Sequence, residues 1–490
     1  MKLIYTILLL FSIEYSFSQK PSQEFEGVEN EIIHLIEKYN AVGAAVAVVK
    51  NDRIIYAKGF GYRDIERKLP VTTNTVFPIG SITKSFTGSV LGALEAEEKL
   101  SLKDKPSQHI PEFAFYNDKM NDLITIEDLL SHKSGIGNQA SSQVFFPDTS
   151  LLKMVQRLRY LKPQAEVKNS FEYSNMAYTV AGAIIEQITG NSWQANIQEK
   201  LFTPLEMTSS YTKLEEMKKS SDYSFPYGVY NGNVEKVKYE DFNSISPAGA
   251  IKSTVNDMTN WMITWLNNGK FKDSQIISEE YIQKATTLQN IKGGNYEENA
   301  FLFGDGFGWR LRSSYGHFRI EHGGNTFGFS SDLAMFPFDK IGIVVLTNQD
   351  NSLLPYAIVD IITRRLFEID PVPEYPINVA DIFKPMPYKH LNKDKMPSHS
   401  LSSYSGTYTA KGFGTIEVLN EDERLYALLP NYKFQLEHVN YDSFFFKPSK
   451  EFKDVYNPQF TIQFITDTEG EISMLKMYSQ KEPVQFYKVD

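Results

Sequence analysis

Four apolar stretches follow one another in the second half of this 490-residue chain, and no helix-forming segment separates them. Short apolar runs bounded by turn residues are typical of β-strands. Strands in tandem, without helices between them, favour an antiparallel sheet. The predicted strands are Gly306–Leu311, His317–Ile320, Ser331–Phe336 and Ile341–Leu346.

A hairpin and several helices accompany this predicted sheet. The apolar runs 44–49 and 54–57 are joined by the turn Asn51-Asp52, which predicts a β-hairpin. The fold class that follows is α/β, of the α+β type, with an antiparallel sheet flanked by helices. Apolar patterns predict these helices at 28–39, 86–94, 178–184, 258–265 and 353–367.

Length and charge limit the function classes. With 490 residues, 42% of them hydrophobic, the chain is too long for one typical domain and predicts two folded units. The formal net charge of −10 and the lack of a Lys/Arg-rich run disfavour nucleic-acid binding, which needs a basic surface. There is no cysteine, and the eight histidines form no metal-binding motif, so we expect no disulfide, no metal and no other cofactor.

The N-terminus predicts export. Residues 1–18 contain Lys2, the apolar run 3–11 and the small-residue pattern Ser16-Phe17-Ser18, which together are typical of a secretory signal peptide cleaved after residue 18. An uncleaved membrane anchor is the alternative, but the apolar run is shorter than the ~20 residues that a membrane span needs. We therefore expect a periplasmic or secreted protein that keeps no transmembrane anchor.

The C-terminal part of the chain predicts a separate unit. Six prolines between 371 and 397 indicate a linker. About eight short strands follow, which is typical of a small β-barrel or sandwich. The predicted organisation is a signal peptide (1–18), a first domain (19–370), a proline-rich linker (371–399) and an all-β domain (400–490).

Ser81 and Lys84 carry the strongest chemical signal. They lie three residues apart at the start of a predicted helix, and residues at i and i+3 share one helical face. The amine is therefore expected beside the hydroxyl. Free N–H groups and the partial positive charge of a helix N-terminus would stabilise an alkoxide or an oxyanion at Ser81.

Two further motifs have both structural and catalytic interpretations. In the first, Tyr173-Ser174-Asn175, either the serine or the asparagine would serve as a helix cap. In the second, His322-Gly323-Gly324-Asn325, the adjacent glycines either form a turn or leave the backbone open to a ligand. Each motif alone permits the structural interpretation, and their joint occurrence with the serine and lysine favours the catalytic one.

His132 and Ser134 form another candidate pair. They are either catalytic residues or part of a helix end with Gly135 as the C-terminal cap. The helix-end interpretation is favoured because the stop signal explains these residues without chemistry.

In this order, the motifs resemble the class C β-lactamase-related serine hydrolases, a family that includes class C β-lactamases, D-aminopeptidases, D-alanyl-D-alanine carboxypeptidases and esterases. The resemblance implies a β-lactamase/transpeptidase-like fold in which an all-helical lobe accompanies the antiparallel sheet. The tail from about 400 resembles the lipocalin-like barrels appended to some members. The resemblance covers roughly residues 27–370 and is carried by Ser81-x-x-Lys84, 129–136, Tyr173-Ser174-Asn175, Pro247-Ala248-Gly249 and His322-Gly323-Gly324.

The resemblance implies a mechanism through an acyl-enzyme. Ser81 would attack a carbonyl, and either Lys84 or Tyr173 would take its proton, the family assigning this role to the tyrosine with support from the lysine. The oxyanion would lie between the backbone N–H groups of Ser81 and Asn325.

The residues implied to bind substrate are Asn175, His322, Gly323 and Gly324. Of these, Asn175 would hold either the substrate amide or Lys84 in place. True β-lactamases and carboxypeptidases generally have lysine where His322 stands, and that lysine binds the substrate carboxylate. A neutral histidine is a weaker carboxylate anchor than a fixed ammonium. This difference favours an ester, an amide or a D-amino peptide over a β-lactam.

The expected function is an exported serine hydrolase that acts on a small-molecule ester or a peptide-like amide. Two alternatives are a β-lactamase proper and a catalytically silent sensor that uses the pocket for binding. The C-terminal barrel is also a candidate surface for oligomerisation.

Overall fold

A computed structural model describes residues 23–137, 145–148, 150–230, 232–240, 243–293, 302–370, 395–447, 460–478 and 483–489. The predicted signal peptide at 1–18 and most of the predicted linker at 371–399 lie outside these residues. Within the described part of the chain, no helix has the length and apolar character needed to cross a membrane.

An antiparallel sheet of nine strands forms the centre of the first domain, in the order β10-β11-β12-β13-β14-β15-β1-β2-β3. The N-terminal hairpin thus joins the sheet beside its last strand in sequence. The strands are β1 (Gly43–Lys50), β2 (Arg53–Asp64), β3 (Leu69–Pro70), β4 (Phe77–Pro78), β5 (Tyr227–Tyr230), β6 (Asn233–Lys236), β7 (Lys252–Ser253), β8 (Lys270–Phe271), β9 (Ser274–Gln275), β10 (Asn290–Gly293), β11 (Phe303–Asp305), β12 (Arg310–Ser314), β13 (His317–Thr326), β14 (Phe329–Phe336) and β15 (Ile341–Thr347). Strands β4 with β7, β5 with β6, and β8 with β9 form separate two-stranded sheets.

Helices cover both faces of this sheet. The α-helices are α1 (Val28–Lys38), α2 (Thr83–Ala96), α3 (Asp118–Leu123), α4 (Ile126–Leu130), α5 (Leu151–Gln156), α6 (Asn175–Thr189), α7 (Trp193–Ile197), α8 (Leu214–Met217), α9 (Ser246–Gly249), α10 (Val255–Leu266), α11 (Glu279–Ala285) and α12 (Leu354–Leu366). Short 3₁₀ turns occur at Gln23–Phe25, Gly80–Ile82, Pro106–Gln108, Arg157–Tyr160, Asn243–Ile245, Pro337–Asp339 and Leu401–Tyr404, and a π-helical turn at Gln198–Phe202. The prediction of an antiparallel sheet flanked by helices is confirmed.

The environment of strand β1 explains why this strand of the N-terminal hairpin has a continuously apolar sequence. Alternate residues of β1 belong to two different core clusters, one shared with α2 and α10 and the other with α1 and α12. Neither face of this strand meets water, so polar residues do not alternate with apolar ones. The predicted hairpin turn is confirmed, because Lys50 pairs with Arg53 across Asn51 and Asp52, both at positive φ (50° and 63°).

One strand predicted from the sequence is misplaced. The first part of Gly306–Leu311 is a turn in which Gly308 has a φ of 73°, and the strands β11 and β12 lie on either side of it. The glycines and aromatic residues of this stretch alternate as in a strand, but the positive φ at Gly308 breaks the extended conformation.

The structure also differs from the prediction for the motif His322-Gly323-Gly324-Asn325. The sequence predicts that its glycines form a turn or follow the end of a strand. Strand β13 continues to Thr326 and therefore contains the whole motif. Gly323 pairs with Asp332 and Gly324 with Ser331 on β14, so the glycines extend the ladder.

The C-terminal domain is a closed antiparallel barrel of eight strands, as predicted. Closure is completed by pairing of the first strand with the last. Inward-facing residues alternate with partly exposed ones, and the interior is filled by aromatic and aliphatic side chains. The strands are β16 (Gly406–Ala410), β17 (Gly414–Glu421), β18 (Arg424–Leu429), β19 (Tyr432–Asn440), β20 (Ser443–Lys447), β21 (Thr461–Thr466), β22 (Ile472–Tyr478) and β23 (Val484–Val489).

Candidate active site

Ser81 lies in a 3₁₀ turn between β4 and α2. The turn begins at Gly80, whose φ of 53° is in the left-handed region that favours glycine. A Cβ atom at Gly80 would lie 2.7 Å from the backbone nitrogen of Asn325 on β13. Glycine therefore permits the serine turn to approach the backbone of the central sheet.

Lys84 lies one helical turn beyond Ser81 and is fully buried. Its Nζ is 3.0 Å from Ser81 Oγ, 2.8 Å from Asn175 Oδ1 and 2.8 Å from the carbonyl oxygen of Ala248. The predicted proximity of amine and hydroxyl is present in the structure. Asn175 contacts the lysine, which is one of the two partners predicted for it.

The two carbonyl oxygens around Lys84 determine the direction in which the lone pair of its neutral amine points. Both accept hydrogen bonds and neither can donate one. Burial, together with the positive charge of Arg310, holds the pKa of Lys84 well below its ordinary value. In the neutral amine, the two N–H groups donate to Asn175 and Ala248, so the lone pair faces the Ser81 hydroxyl. This is the arrangement of a general base.

Tyr173 contacts the same hydroxyl from the other side. Its OH donates a hydrogen bond of 2.8 Å to Ser81 Oγ. Burial raises the pKa of Tyr173 to about 12, although the bond to Ser81 opposes that shift. The phenol is therefore protonated at neutral pH and suits the role of a proton donor.

His132 holds the Tyr173 segment in place. Its Nδ1 accepts a hydrogen bond of 3.1 Å from the Ser174 N–H, and its carbonyl oxygen accepts one of 2.9 Å from the Glu172 N–H. The histidine ring also lies 4.5 Å from that of Tyr173. Burial, together with the positive charges of Lys292 and Arg310, keeps the pKa of His132 well below its ordinary value, so the ring is neutral.

The alternative pairing of His132 with Ser134 is not formed. Ser134 Oγ accepts instead from the Ile136 N–H at 3.3 Å. The helix-end interpretation is correct, but the first left-handed residue after α4 is His132 itself, at φ 59°, rather than Gly135.

Strand β13 brings its backbone to the serine turn. Its pairing with β12 ends at Glu321, so the following residues lie beyond the end of that neighbour. A Cβ at Gly324 would lie 2.0 Å from the carbonyl oxygen of Ile79 and 2.4 Å from Ser331 Oγ, so only glycine fits here. This close approach, together with that of Gly80 to the Asn325 nitrogen, brings the backbone of Asn325 beside the serine turn. The oxyanion hole formed by the backbone N–H groups of Ser81 and Asn325 stays a prediction.

The Asn325 side chain anchors the strand through contacts with Asn351 and Ser330. Its Oδ1 accepts hydrogen bonds from the Asn351 N–H at 3.0 Å and from Ser330 Oγ at 2.8 Å, while its Nδ2 donates to Asn351 Oδ1 at 2.9 Å. The side chain of Asn325 thus stabilises the fold, and its backbone N–H is the group predicted to contact the substrate.

His322 and Gly323 line the site on the same strand. The His322 ring lies 6.4 Å from that of Tyr173, and its Nδ1 is 2.6 Å from the Gly323 carbonyl oxygen. Burial and the charge of Arg310 hold the pKa of His322 well below its ordinary value. A Cβ at Gly323 would lie 1.8 Å from the hydroxyl oxygen of Tyr356, so this tyrosine occupies the space that a side chain at Gly323 would need.

Two cations of the site were missed from the sequence. Arg310 on β12 contributes positive charge that lowers the pKa of Lys84, His132 and His322. Within the described residues, its guanidinium makes no ion pair or hydrogen bond. Lys292 on the edge strand β10 forms an ion pair of 2.6 Å with Asp305 and lies 3.3 Å from the centroid of the Phe171 ring. Neither cation belongs to a recognisable motif, so sheet topology alone reveals their proximity.

Metal ligands are not grouped anywhere in the described part of the chain. No cluster of three or more histidine, aspartate or glutamate side chains there could hold an ion.

The fold and the grouping of a serine with a lysine and a tyrosine are those of serine hydrolases built on a β-lactamase-like fold. A family model described as Beta-lactamase matches residues 28–361, and the chain belongs to that family. A second model, described as a domain of unknown function (DUF3471), matches residues 391–488.

Known relatives match most of this chain at low identity. Protein flp of Staphylococcus aureus (strain COL) is 28% identical over 332 residues, which cover 67% of this chain and 64% of that protein. The chain therefore spans slightly less than two thirds of the length of this relative. Unguisins hydrolase ungD' of Aspergillus campestris is 25% identical over 432 residues, covering 80% of this chain and 77% of that protein.

Solved structures share the fold. The octameric penicillin-binding protein homologue from Pyrococcus abyssi superimposes with a TM-score of 0.63 at 24% identity, covering 94% of this chain and 99% of that chain. A class C beta-lactamase superimposes with a TM-score of 0.58 at 22% identity, covering 73% of this chain and 99% of that chain.

The rate of Ser81 acylation is expected to rise with pH and to level off below pH 10.5, the ordinary pKa of lysine. The neutral amine of Lys84 is the reactive form, and its lowered pKa means that this form is lost only as the pH falls through that lowered value. The measurement is the rate of labelling by a fluorescent acyl-phosphonate as a function of pH. A rate that keeps rising to about pH 12, where Tyr173 titrates, would instead identify the tyrosine as the base.

Arg310→Met provides a second test of this pH dependence. Removing the cation favours protonated Lys84, so the pKa of Lys84 rises and the pH profile shifts to higher pH. Arg312→Met is the matched control, because Arg312 is two residues further along β12 and forms an ion pair of 3.6 Å with Glu321. Equal profiles for wild type and Arg310→Met would contradict the electrostatic role of Arg310.

Gly324→Ala is expected to reduce the labelling rate by roughly 10²–10³, the usual cost of losing one oxyanion donor. The added methyl group has to displace β13 from the Ile79 carbonyl oxygen. Gly249→Ala is the control, since a Cβ there would meet only the Gly80 carbonyl carbon at 3.9 Å. Thermal unfolding measured beside labelling separates loss of the site from loss of the fold, and a folded variant that labels at the wild-type rate would refute this prediction.

Proposed function

We propose that this protein is a serine hydrolase that forms an acyl-enzyme at Ser81 and acts on an ester or a peptide-like amide. The observation that carries the proposal is the position of one hydroxyl between two proton-handling groups. Ser81 Oγ lies 3.0 Å from Lys84 Nζ and 2.8 Å from Tyr173 OH. A nucleophile that must lose a proton and then release a leaving group needs both a base and a proton donor.

Acylation follows from this geometry. Ser81 Oγ attacks the substrate carbonyl carbon as its proton passes to the lone pair of Lys84 Nζ. The carbonyl π electrons move to the oxygen, which the backbone N–H groups of Ser81 and Asn325 stabilise. When the tetrahedral intermediate collapses, the bond to the alcohol or amine breaks, and the leaving group takes a proton from Tyr173.

Deacylation uses the same groups. The Lys84 ammonium returns its proton to the Tyr173 phenolate, which restores the neutral amine and the phenol. A water molecule then attacks the acyl carbonyl as its proton passes to Lys84. Cleavage of the ester bond releases a carboxylic acid, and Ser81 Oγ recovers the proton.

Arg310 narrows the substrate class. Since the pKa of His322 is lowered, its ring is neutral and does not supply the positive charge of the lysine found in β-lactamases. Arg310 supplies a permanent charge beside that strand, and a guanidinium suits a carboxylate better than an imidazole does. We therefore infer a preference for esters or peptide-like amides that carry a carboxylate near the scissile carbonyl, as a carboxypeptidase-type or D-amino peptidase-type substrate does.

The family relationships support hydrolysis over the alternatives. One relative is named Unguisins hydrolase, which favours an active enzyme over a silent sensor. A β-lactamase proper is the second candidate within the enzyme class, because Arg310 would also accommodate the carboxylate of a β-lactam. For β-lactam hydrolysis, the neutral His322 makes the site of this protein less suited than a site with a lysine at that position.

We also propose that the enzyme acts outside the cytoplasm. The support is the signal-peptide pattern of residues 1–18. Cell fractionation, followed by N-terminal sequencing of the mature protein, would test export. A cytoplasmic product that retains Met1 would refute it.

Ser81→Ala is expected to abolish phosphonate labelling and hydrolysis across a panel of short acyl esters, D-alanyl peptides and nitrocefin. The variant removes the attacking oxygen, and the base and donor cannot replace it. Ser89→Ala is the matched control, because Ser89 is a buried serine on α2 whose hydroxyl donates to the Ser85 carbonyl oxygen at 2.8 Å. If the wild-type protein is folded but Ser81 remains unlabelled, the silent sensor is the better description.

Arg310→Met is expected to reduce kcat/KM for a carboxylate-bearing ester by about 10- to 100-fold relative to the same ester without the carboxylate. This range corresponds to the loss of a hydrogen bond to a charged group, worth about 1.5–3 kcal/mol. The measurement compares the two esters for wild type, Arg310→Met and Arg312→Met. Equal losses on both esters would show that Arg310 acts on the site electrostatically without binding the substrate.

A further inference from the structure

The first domain covers one end of the C-terminal barrel. The described connections β16–β17 and β18–β19 lie at this end, because the strands are antiparallel and consecutive. Phe145 and Phe146 of the first domain pack against it and are 5% and 1% exposed. Apolar side chains of this size lose most of their contact with water only when a partner surface covers them.

The two phenylalanines contact residues from several barrel strands. The Phe145 ring lies 5.3 Å from the rings of both Tyr432 and Phe460 and 6.1 Å from that of Phe434. The Phe146 ring lies 5.8 Å from that of Phe486. Since β19 and β23 point these side chains inward, the phenylalanines form the lid of the barrel interior.

Arg157 ties the same segment to the barrel by polar contacts. Its Nη1 donates to the carbonyl oxygen of Phe146 at 2.6 Å and to that of Phe413, on the β16–β17 connection, at 2.7 Å. Its Nη2 forms an ion pair of 2.6 Å with Asp148. One half-buried guanidinium thus joins both sides of the contact, and its planar donor fork suits this geometry.

The opposite end of the barrel is closed by the chain that enters it. Tyr404, in the 3₁₀ turn before β16, is fully buried, and its ring lies 5.3 Å from that of Phe444 and 4.8 Å from that of Phe464. Side chains of the barrel itself fill the space between the two ends. Over the described residues, the barrel therefore presents a packed interior, in contrast to a cup with an open mouth for a ligand.

The segment 145–161, described at residues 145–148 and 150–161, is connected to the active site by packing and by the chain that follows it. Helix α5 within it packs on α6, since a Cβ at Gly182 would lie 3.2 Å from Leu151 Cδ1. Helix α6 begins at Asn175, which contacts Lys84. The chain then pairs with the end of α4, where the Lys168 N–H donates to the Lys133 carbonyl oxygen at 2.8 Å.

We propose that the barrel is a clamp for the segment 145–161, and that through this segment it positions the active-site wall that carries Tyr173 and Asn175. The barrel makes the far contact, with this segment, and the stretch that follows it, residues 164–172, makes the near bonds, which are backbone hydrogen bonds to residues 132–135. Loss of the far contact frees the segment to move and weakens the near bonds. Phe145, Phe146 and Arg157 are positioning residues, and their importance for hydrolysis rests on the proposed function.

The test is hydrogen–deuterium exchange of the full chain, which does not depend on activity. Phe145→Ala is expected to raise the exchange rate of the Lys168, Glu172 and Ser174 amides roughly tenfold or more, because truncating a buried phenylalanine costs more free energy than one factor of ten requires. The same variant is expected to lower the rate of Ser81 labelling. Faster exchange without any Ser81 labelling in wild type would refute the proposed function but support the clamp.

Phe444→Ala is the matched control. It removes the same side chain from the opposite end of the barrel, where Phe444 contacts Tyr404 and Phe464. No contact of Phe444 with Phe145, Phe146 or Arg157 is present among the described residues. Exchange of the three amides in this variant is expected to stay at the wild-type rate. Equal exchange in Phe145→Ala and wild type, or equal increases in Phe145→Ala and Phe444→Ala, would overturn the clamp.

Arg157→Gln gives the test if Phe145→Ala does not fold. It removes the rim contacts to Phe413 and Asp148 without leaving a cavity in the barrel. Faster exchange at Lys168 and Glu172 with an intact barrel supports the clamp, and unchanged exchange overturns it.

Discussion

The burial of one amine organises the active site. A lysine that is removed from water loses hydration that its charged form needs, so its pKa falls and its neutral form becomes accessible. The protein satisfies the N–H groups of Lys84 with two carbonyl oxygens, from Asn175 and Ala248. These two acceptors come from the start of α6 and from α9, so the amine can be satisfied only when both helices are packed against α2. The chemistry of Ser81 therefore depends on the assembly of the helical lobe.

A close approach of two backbones supplies the other half of the site. The serine turn can lie against β13 only because Gly80 and Gly324 have no side chains. The Asn325 side chain then fixes the strand from behind through Asn351 and Ser330. Ser81 lies in the turn before α2, Tyr173 precedes α6, and Asn325 lies on β13. In the proposed mechanism the acyl carbon therefore binds between these helices and the sheet.

Local signals predicted much of this arrangement. The helical spacing of Ser81 and Lys84, the capping pattern at Ser174 and the paired glycines each follow from short-range rules, and the structure brings all of these residues together. The turn at Gly308 was predicted as a strand because a positive φ leaves no trace in an apolar pattern. Arg310 was missed for a different reason: it is distant in sequence from every motif, and the pairing of β12 with β13 brings it to the site.

The position of Arg310 bears on whether the site can bind a substrate carboxylate. A histidine in place of the motif lysine indicates a weaker carboxylate anchor only if no other cation is present. The structure places a permanent cation on the adjacent strand, and the Tyr356 hydroxyl fills the space beside Gly323. In the proposed mechanism, the groups around the substrate therefore come from β12 and α12 as well as from β13. A motif read along one strand describes the backbone of such a site, whereas the charge that selects the substrate depends on which strands and helices become its neighbours.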